Sequence, residues 1–148
     1  MEKLHELSEG LEKSIRRANT IMYRRGHSLL SDTGIPDSQF NVLLAIEENG
    51  PLTMGQLCKK LFTACSTATD LVNRLERKKL VERIRDDKDR RIVRVHLLPK
   101  GKKVVQAYIA DRRDFLDRVL EEFPSNEYAL LLEKLEWFAG KMEKLDES

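Results

Sequence analysis

Along the first thirty residues Leu4, Leu7, Leu11, Ile15, Ala18, Met22 and Leu29 recur at steps of mostly three and four, which predicts a long helix with one apolar stripe. Gly26 interrupts it late, a position for a bend or a close backbone approach. The segment SDTGIPDS, with Gly34 and Pro36, breaks the pattern. A second helix follows, whose FNVLLAI core ends at Asn49, Gly50 and Pro51. Thr53 and Gln56 have capping-box spacing and open a short helix through Leu57 and Leu61. Beyond FTA, a helix over roughly residues 65–78 turns Ala68, Leu71, Val72 and Leu75 inward. Two short helices joined by a tight turn make a helix-turn-helix candidate.

The period then changes from nearly four to two. In VERIRDDKDRRIVRVHL, Val93, Val95 and Leu97 share one face while Ile92, Arg94 and His96 share the other, which predicts a β-hairpin able to bury one side. Pro99 and Gly101 lead into a long helix carrying Val104, Val105, Tyr108, Phe115, Val119 and Leu120, ended by Pro124. Ser125 is placed to cap a last helix bearing Tyr128, Leu131, Leu132, Leu135, Phe138, Met142 and Leu145. The terminal helices carry broad apolar stripes outside the central unit. Packing against a second copy would cover them; the alternative is a monomeric helical bundle.

Composition adds one decisive feature. The net charge of +2 over 148 residues conceals an asymmetry: residues 74–103 carry net +8, residues 1–73 net −1 and residues 104–148 net −5. Concentrated positive charge points to a polyanion, since phosphate neutralisation with counterion release supplies most sequence-independent affinity for nucleic acid. The hairpin segment itself holds six cations and four anions.

On these residues the chain resembles the MarR family of dimeric winged helix-turn-helix transcription regulators. TMGQLCKKL, STATDLVNRLERKKLVER, DDKDRRIVRVHL and PKG carry the resemblance, preceded by IPDSQFNVLLAIEENGPLT, and the D-x-R pattern at Asp89, Arg90 and Arg91 is its most specific part. The resemblance implies a mainly α chain with a small β-hairpin wing. Residues 35–98 would form the winged helix-turn-helix, and residues 1–34 and 99–148 a helical dimerisation region. It also implies a homodimer on double-stranded DNA, with half-sites of a pseudo-palindromic operator about 34 Å apart.

By position the recognition helix offers Cys65, Ser66, Thr67, Thr69, Asp70, Asn73, Arg74 and Arg77 to the major groove. Asp70 suits either cytosine N4 or a salt bridge to Arg74 one turn on. In the wing, Arg90 or Arg91 would enter the minor groove with Asp89 orienting it, while Arg85, Lys88 and Arg94 would lie near phosphate. The chain departs from the family pattern at four places. Asn73 stands for an aspartate that pairs with the wing arginine, Lys79 for a glycine after the recognition helix, and Leu98 for a capping threonine before Pro99. Phe62 fills a turn position that is commonly glycine, from which it is expected to close the bottom of the core.

Family members often repress transcription and release DNA when a small phenolic or amphipathic ligand binds. By position Met22, Tyr23, His27, Phe40, Leu44 and Tyr108 would line such a pocket, or else be ordinary core. Cysteine-based redox control is the alternative: Cys65 lies near a helix N-terminus and Cys58 on the preceding helix, although two cysteines are too few for a disulfide framework and fit a reducing compartment. A winged-helix module for protein contacts without specific DNA binding is a further alternative. There is no phosphate loop or nucleophile motif, so an enzyme is not expected. His5, His27 and His96 are scattered, and neither metal nor cofactor is implied. The longest apolar runs are too short to span a bilayer, and a cytoplasmic location without membrane contact is expected.

Overall fold

The structure, a computed structural model, describes residues 1–148 as two compact units, residues 1–112 and 113–148. In chain order the elements are α1 (Glu2–Ser31), α2 (Asp37–Asn49), β1 (Leu52–Thr53), α3 (Met54–Lys60), α4 (Cys65–Arg77), β2 (Val81–Arg85), β3 (Val93–Leu97), α5 (Pro99–Leu120), a 3-10 turn (Ser125–Glu127) and α6 (Tyr128–Asp146). No helix is long and apolar enough to cross a membrane.

The first unit is organised around one core. Leu43 and Val42 from α2, Leu57 from α3, Val72 and Leu75 from α4, and Val95 from β3 are all fully buried. Val105 brings α5 onto the same cluster, with Tyr108 and Ile109 packed at its edge. The three-stranded antiparallel sheet has the order β1-β3-β2, with Leu52 opposite Val95 and Arg83 opposite Val95 on the other side. The hairpin expected from alternation is therefore β2 and β3. Its third strand was not expected: β1 is only two residues long and runs straight into the α3 cap. That cap is the expected one, Thr53 Oγ1 accepting from the Gln56 amide and Gln56 Oε1 from the Thr53 amide.

Gly26 is a close approach, not a bend. It is buried in α1, and an added Cβ would lie 2.7 Å from Cε2 of the Tyr108 ring. Gly101 is tighter still, because its Cβ would run into the backbone carbonyl of Leu80. The PKG segment thus seats the start of α5 on the turn between α4 and β2, where Leu98 also donates its amide to the Leu80 carbonyl at 3.0 Å.

Phe62 and Lys79 both have left-handed backbones, with φ of 50° and 58°, a conformation that favours glycine and accounts for glycine being usual at these two positions. Phe62, however, is 88% exposed and closes nothing. The core forms without it, from residues such as Leu57 and Val72 that are fully buried. Ser125 does not cap α6 either. It opens the 3-10 turn instead, and the residue before α6 is Glu127, without a side-chain cap.

The second unit consists of the end of α5, the turn and α6. Tyr128 donates its hydroxyl to the Leu120 carbonyl at 3.3 Å, and its ring stacks with Phe123 at 6.2 Å. No residue of α6 is buried: Leu132, Leu135 and Trp137 are 57–66% exposed. The N-terminal two-thirds of α1 is likewise uncovered, with Leu4 and Leu7 more than half exposed.

Candidate nucleic-acid interface

Helix α4 has two faces. Ala68, Val72 and Leu75 lie at steps of four and three and are fully buried, which fixes the rotation of the helix on the core. The polar residues Ser66, Thr67, Thr69, Asp70, Asn73, Arg74 and Arg77, together with Cys65, are consequently all exposed. Arg74 donates Nε to Asp70 Oδ2 at 3.0 Å, so in the free chain Asp70 takes the intrahelical role. Arg77 turns back to the Asn73 carbonyl at 3.3 Å.

The wing is built by two aspartates with separate tasks. Asp86 organises its entry: Oδ1 accepts from the Lys88 amide at 2.7 Å and the Asp89 amide at 3.2 Å, while Oδ2 accepts from Arg94 at 2.7 Å. The Arg94 guanidinium and then these amides hold its carboxyl below the usual carboxylate value. Asp89 holds Arg91 through Nε and Nη2, and also accepts from the Arg91 amide at 3.1 Å. Its carboxyl is lowered chiefly by that side-chain pairing, and the arginine is raised by the same bond. Arg85 donates to the Arg90 carbonyl at 2.9 Å, which ties β2 to the tip. Arg85, Lys88, Arg90 and Arg91 are exposed and Arg94 half-buried.

Asn73 does not meet the wing-tip arginine. Its Oδ1 accepts from Arg83 of β2 at 2.9 Å, and Arg83 also pairs with Glu76. Arg83 therefore couples α4 to the base of the wing, a link that sequence reasoning missed. Glu76 and Arg83 flank the helix-to-strand junction, but only the turn at Lys79 brings them together.

The residues named for an effector pocket divide into two groups. Phe40 is 2% exposed and rests against the Tyr108 ring at 4.4 Å, with Leu44 and Met22 half-buried. Tyr23 and His27 are exposed and converge on Asp37 instead. Asp37 Oδ2 lies 2.9 Å from the Tyr23 hydroxyl and from His27 Nδ1, and those bonds, His27 first, lower its carboxyl and raise the Tyr23 hydroxyl. A cavity of about 460 Å³ is lined by other residues, Ile21, Arg24, Arg25, Ser28, Leu29 and Asp111 among them, and by none of the six named for the pocket; Arg25 pairs with Asp111 across 3.3 Å.

A capped helix, a tight turn, a helix with an exposed polar face and a three-stranded wing with a cationic tip define a winged helix-turn-helix protein. A family model described as MarR family matches residues 33–92. The chain is 39% identical over 84% of its length to the HTH-type transcriptional regulator YsmB of Bacillus subtilis, covering 86% of that protein. It superposes on the structure of a MarR family protein from Bacillus stearothermophilus with a TM-score of 0.85 at 36% identity, covering 94% of this chain and 97% of the other. The crystal structure of Streptococcus pneumoniae FabT in complex with DNA shares the fold, with a TM-score of 0.74 at 23% identity over 93% of this chain and 98% of that one.

The chain belongs to the MarR family of transcriptional regulators. This is a class of regulators and not of enzymes.

Proposed function

We propose that the chain is a homodimeric repressor that binds double-stranded DNA sequence-specifically at a pseudo-palindromic operator. One observation carries the reading: the polar face of α4 and the wing cations Arg85, Lys88, Arg90 and Arg91 are all exposed, and the wing lies in the segment of net +8 that begins at the end of α4. Ser66, Thr67 and Arg74 are the residue types that contact base edges and phosphate, and Arg90 or Arg91 is the guanidinium suited to a narrow minor groove. The DNA complex of FabT supports this use of the fold. Occupancy of an operator is enough to block transcription, whereas activation needs a further surface for the polymerase.

The dimer reading rests on the uncovered stripes of α1 and α6. Burying one leucine contributes about 1.5–3 kcal/mol, so a second copy covering several of them has an ample driving force. A phenolic or amphipathic effector is part of the same reading, entering beside Met22, Tyr23, His27 and Tyr108 and weakening DNA binding by preferring the DNA-free geometry. Selection of bound genomic fragments, repeated with a simple phenolic acid present, tests all three. Enrichment of one inverted repeat, lost with the acid, is expected; uniform recovery of fragments contradicts specific regulation.

A further inference from the structure

Cys58 and Cys65 form a disulfide across the turn of the helix-turn-helix, with Cα atoms 5.2 Å apart. That spacing is ordinary for a disulfide and requires no movement of either helix. The two sulfurs live in different surroundings. Cys58 on α3 is buried at 8% exposure, while Cys65 is the exposed first residue of α4. Cys58 Sγ also lies 2.9 Å from the Met54 carbonyl oxygen, where its thiol donates once the S–S bond is opened. The Met54 carbonyl is thus an acceptor already in place for the Cys58 thiol.

We propose that Cys58 and Cys65 are a reversible redox modification site, oxidised by hydroperoxides, that clamps the start of the DNA-facing helix to the helix before it. Its consequence for binding rests on the DNA-binding role proposed for α4; its chemistry does not.

In the reduced chain Cys65 is the sulfur a peroxide can reach, because it is the exposed first residue of α4 and Cys58 is buried. The thiolate attacks one peroxide oxygen, the O–O bond breaks, and the departing oxygen takes a proton and leaves as water or an alcohol. Cys65 is left as a sulfenic acid. Cys58 then gives up its proton and attacks the Cys65 sulfur; the S–S bond forms as the S–O bond breaks, and the hydroxyl leaves with that proton as water. Two thiols and one hydroperoxide yield one disulfide, one water, and one further water or alcohol. The two sulfurs lose two electrons and the peroxide gains them. A thiol reductant reverses the step by exchange.

The bond restrains the turn of residues 59–64, including left-handed Phe62, so α4 loses less freedom on docking to DNA. It also removes a potential thiolate from a surface that meets phosphate. Both effects favour DNA binding by the oxidised form.

The test uses the full chain, reduced with dithiothreitol or treated with hydrogen peroxide, against the duplex upstream of its own gene. Oxidation should lower the intact mass by about 2 Da, yield one peptide joining Cys58 to Cys65, and tighten binding roughly threefold to tenfold at constant salt. Cys58→Ala should abolish both the crosslink and the tightening while still binding DNA. Cys65→Ser, read by mass alone, should leave buried Cys58 unreactive. Over-oxidation of Cys65 without a crosslink, tightening that persists in Cys58→Ala, or oxidised protein that binds no more tightly would each overturn the proposal. If neither state binds any duplex, the regulator reading and the gating fall together, and the mass decides the modification site.

Discussion

Asp89 grips Arg91 at two nitrogens, Oδ1 to Nε at 3.1 Å and Oδ2 to Nη2 at 3.0 Å, yet the Arg91 side chain remains 91% exposed. The guanidinium is aimed without being buried. An ion pair this exposed contributes little to folding, so its value lies in positioning. Replacing Asp89 by Asn removes a negative charge from the wing tip and, with the tip on DNA as proposed, would by Coulomb's law alone tighten binding. If positioning dominates, DNA affinity instead falls by roughly fivefold with thermal stability unchanged, as anisotropy and thermal melts can show.

The wing should also respond to acid. Asp86 and Asp89 have lowered native values against an ordinary 3.8. A carboxyl that is more acidic in the ordered wing favours that local order above its unfolded value and loses that contribution as pH falls through the lowered one, with little effect on global stability for groups this exposed. Wing order should therefore persist unchanged down to about pH 4 and decay below it. Amide exchange at Lys88 and Arg91, followed with pH, should report this before the core opens.

Lys79 carries a left-handed backbone at φ 58° on an exposed junction. Such a conformation costs a non-glycine residue about 1–2 kcal/mol, part of which glycine offsets through its larger unfolded entropy. Lys79→Gly should stabilise the chain by about 1 kcal/mol in a denaturant titration, with the slope of the transition unchanged.

Gly101 tests the seat of α5. Because an added methyl would meet the Leu80 carbonyl rather than a flexible side chain, Gly101→Ala should destabilise by about 2–3 kcal/mol and shift the helix start. Gly140→Ala, with open space around it, should be neutral or mildly stabilising by the same titration.

Leu135 is 62% exposed on α6, which has no buried residue. If a second copy covers this stripe, Leu135→Glu should shift the sedimentation coefficient at micromolar concentration from dimer to monomer while the first unit stays folded. A wild-type chain that sediments as a monomer contradicts the two-half-site geometry.

The helices were legible from periodicity because each carries an apolar stripe, buried in α2 and α4 and left exposed in α6, and Thr53 with Gln56 marked a cap through purely local bonds. The hairpin was legible for the same reason, since Val93, Val95 and Leu97 alternate. What escaped depends on distant parts of the chain. β1 is two residues long and carries no period, so only pairing with Val95 and Arg94 makes it a strand. Arg83 reaches Asn73 and Glu76 through a register that no spacing rule encodes. Cys58 and Cys65 meet only because the turn folds α4 back over α3. Phe62 reads as core because it is large and apolar, whereas the turn leaves it 88% exposed.

The central claim is that α4 and the wing form one DNA-reading surface. The most direct measurement is a titration of the full chain against its own upstream duplex and a scrambled duplex across a salt series, with Arg91→Ala in parallel. The account predicts preference for the upstream duplex at moderate salt, affinity falling steeply and linearly in logarithmic salt, and, for Arg91→Ala, weaker binding with a slope shallower by about one. Equal binding of both duplexes, or affinity indifferent to salt and to Arg91, would contradict it.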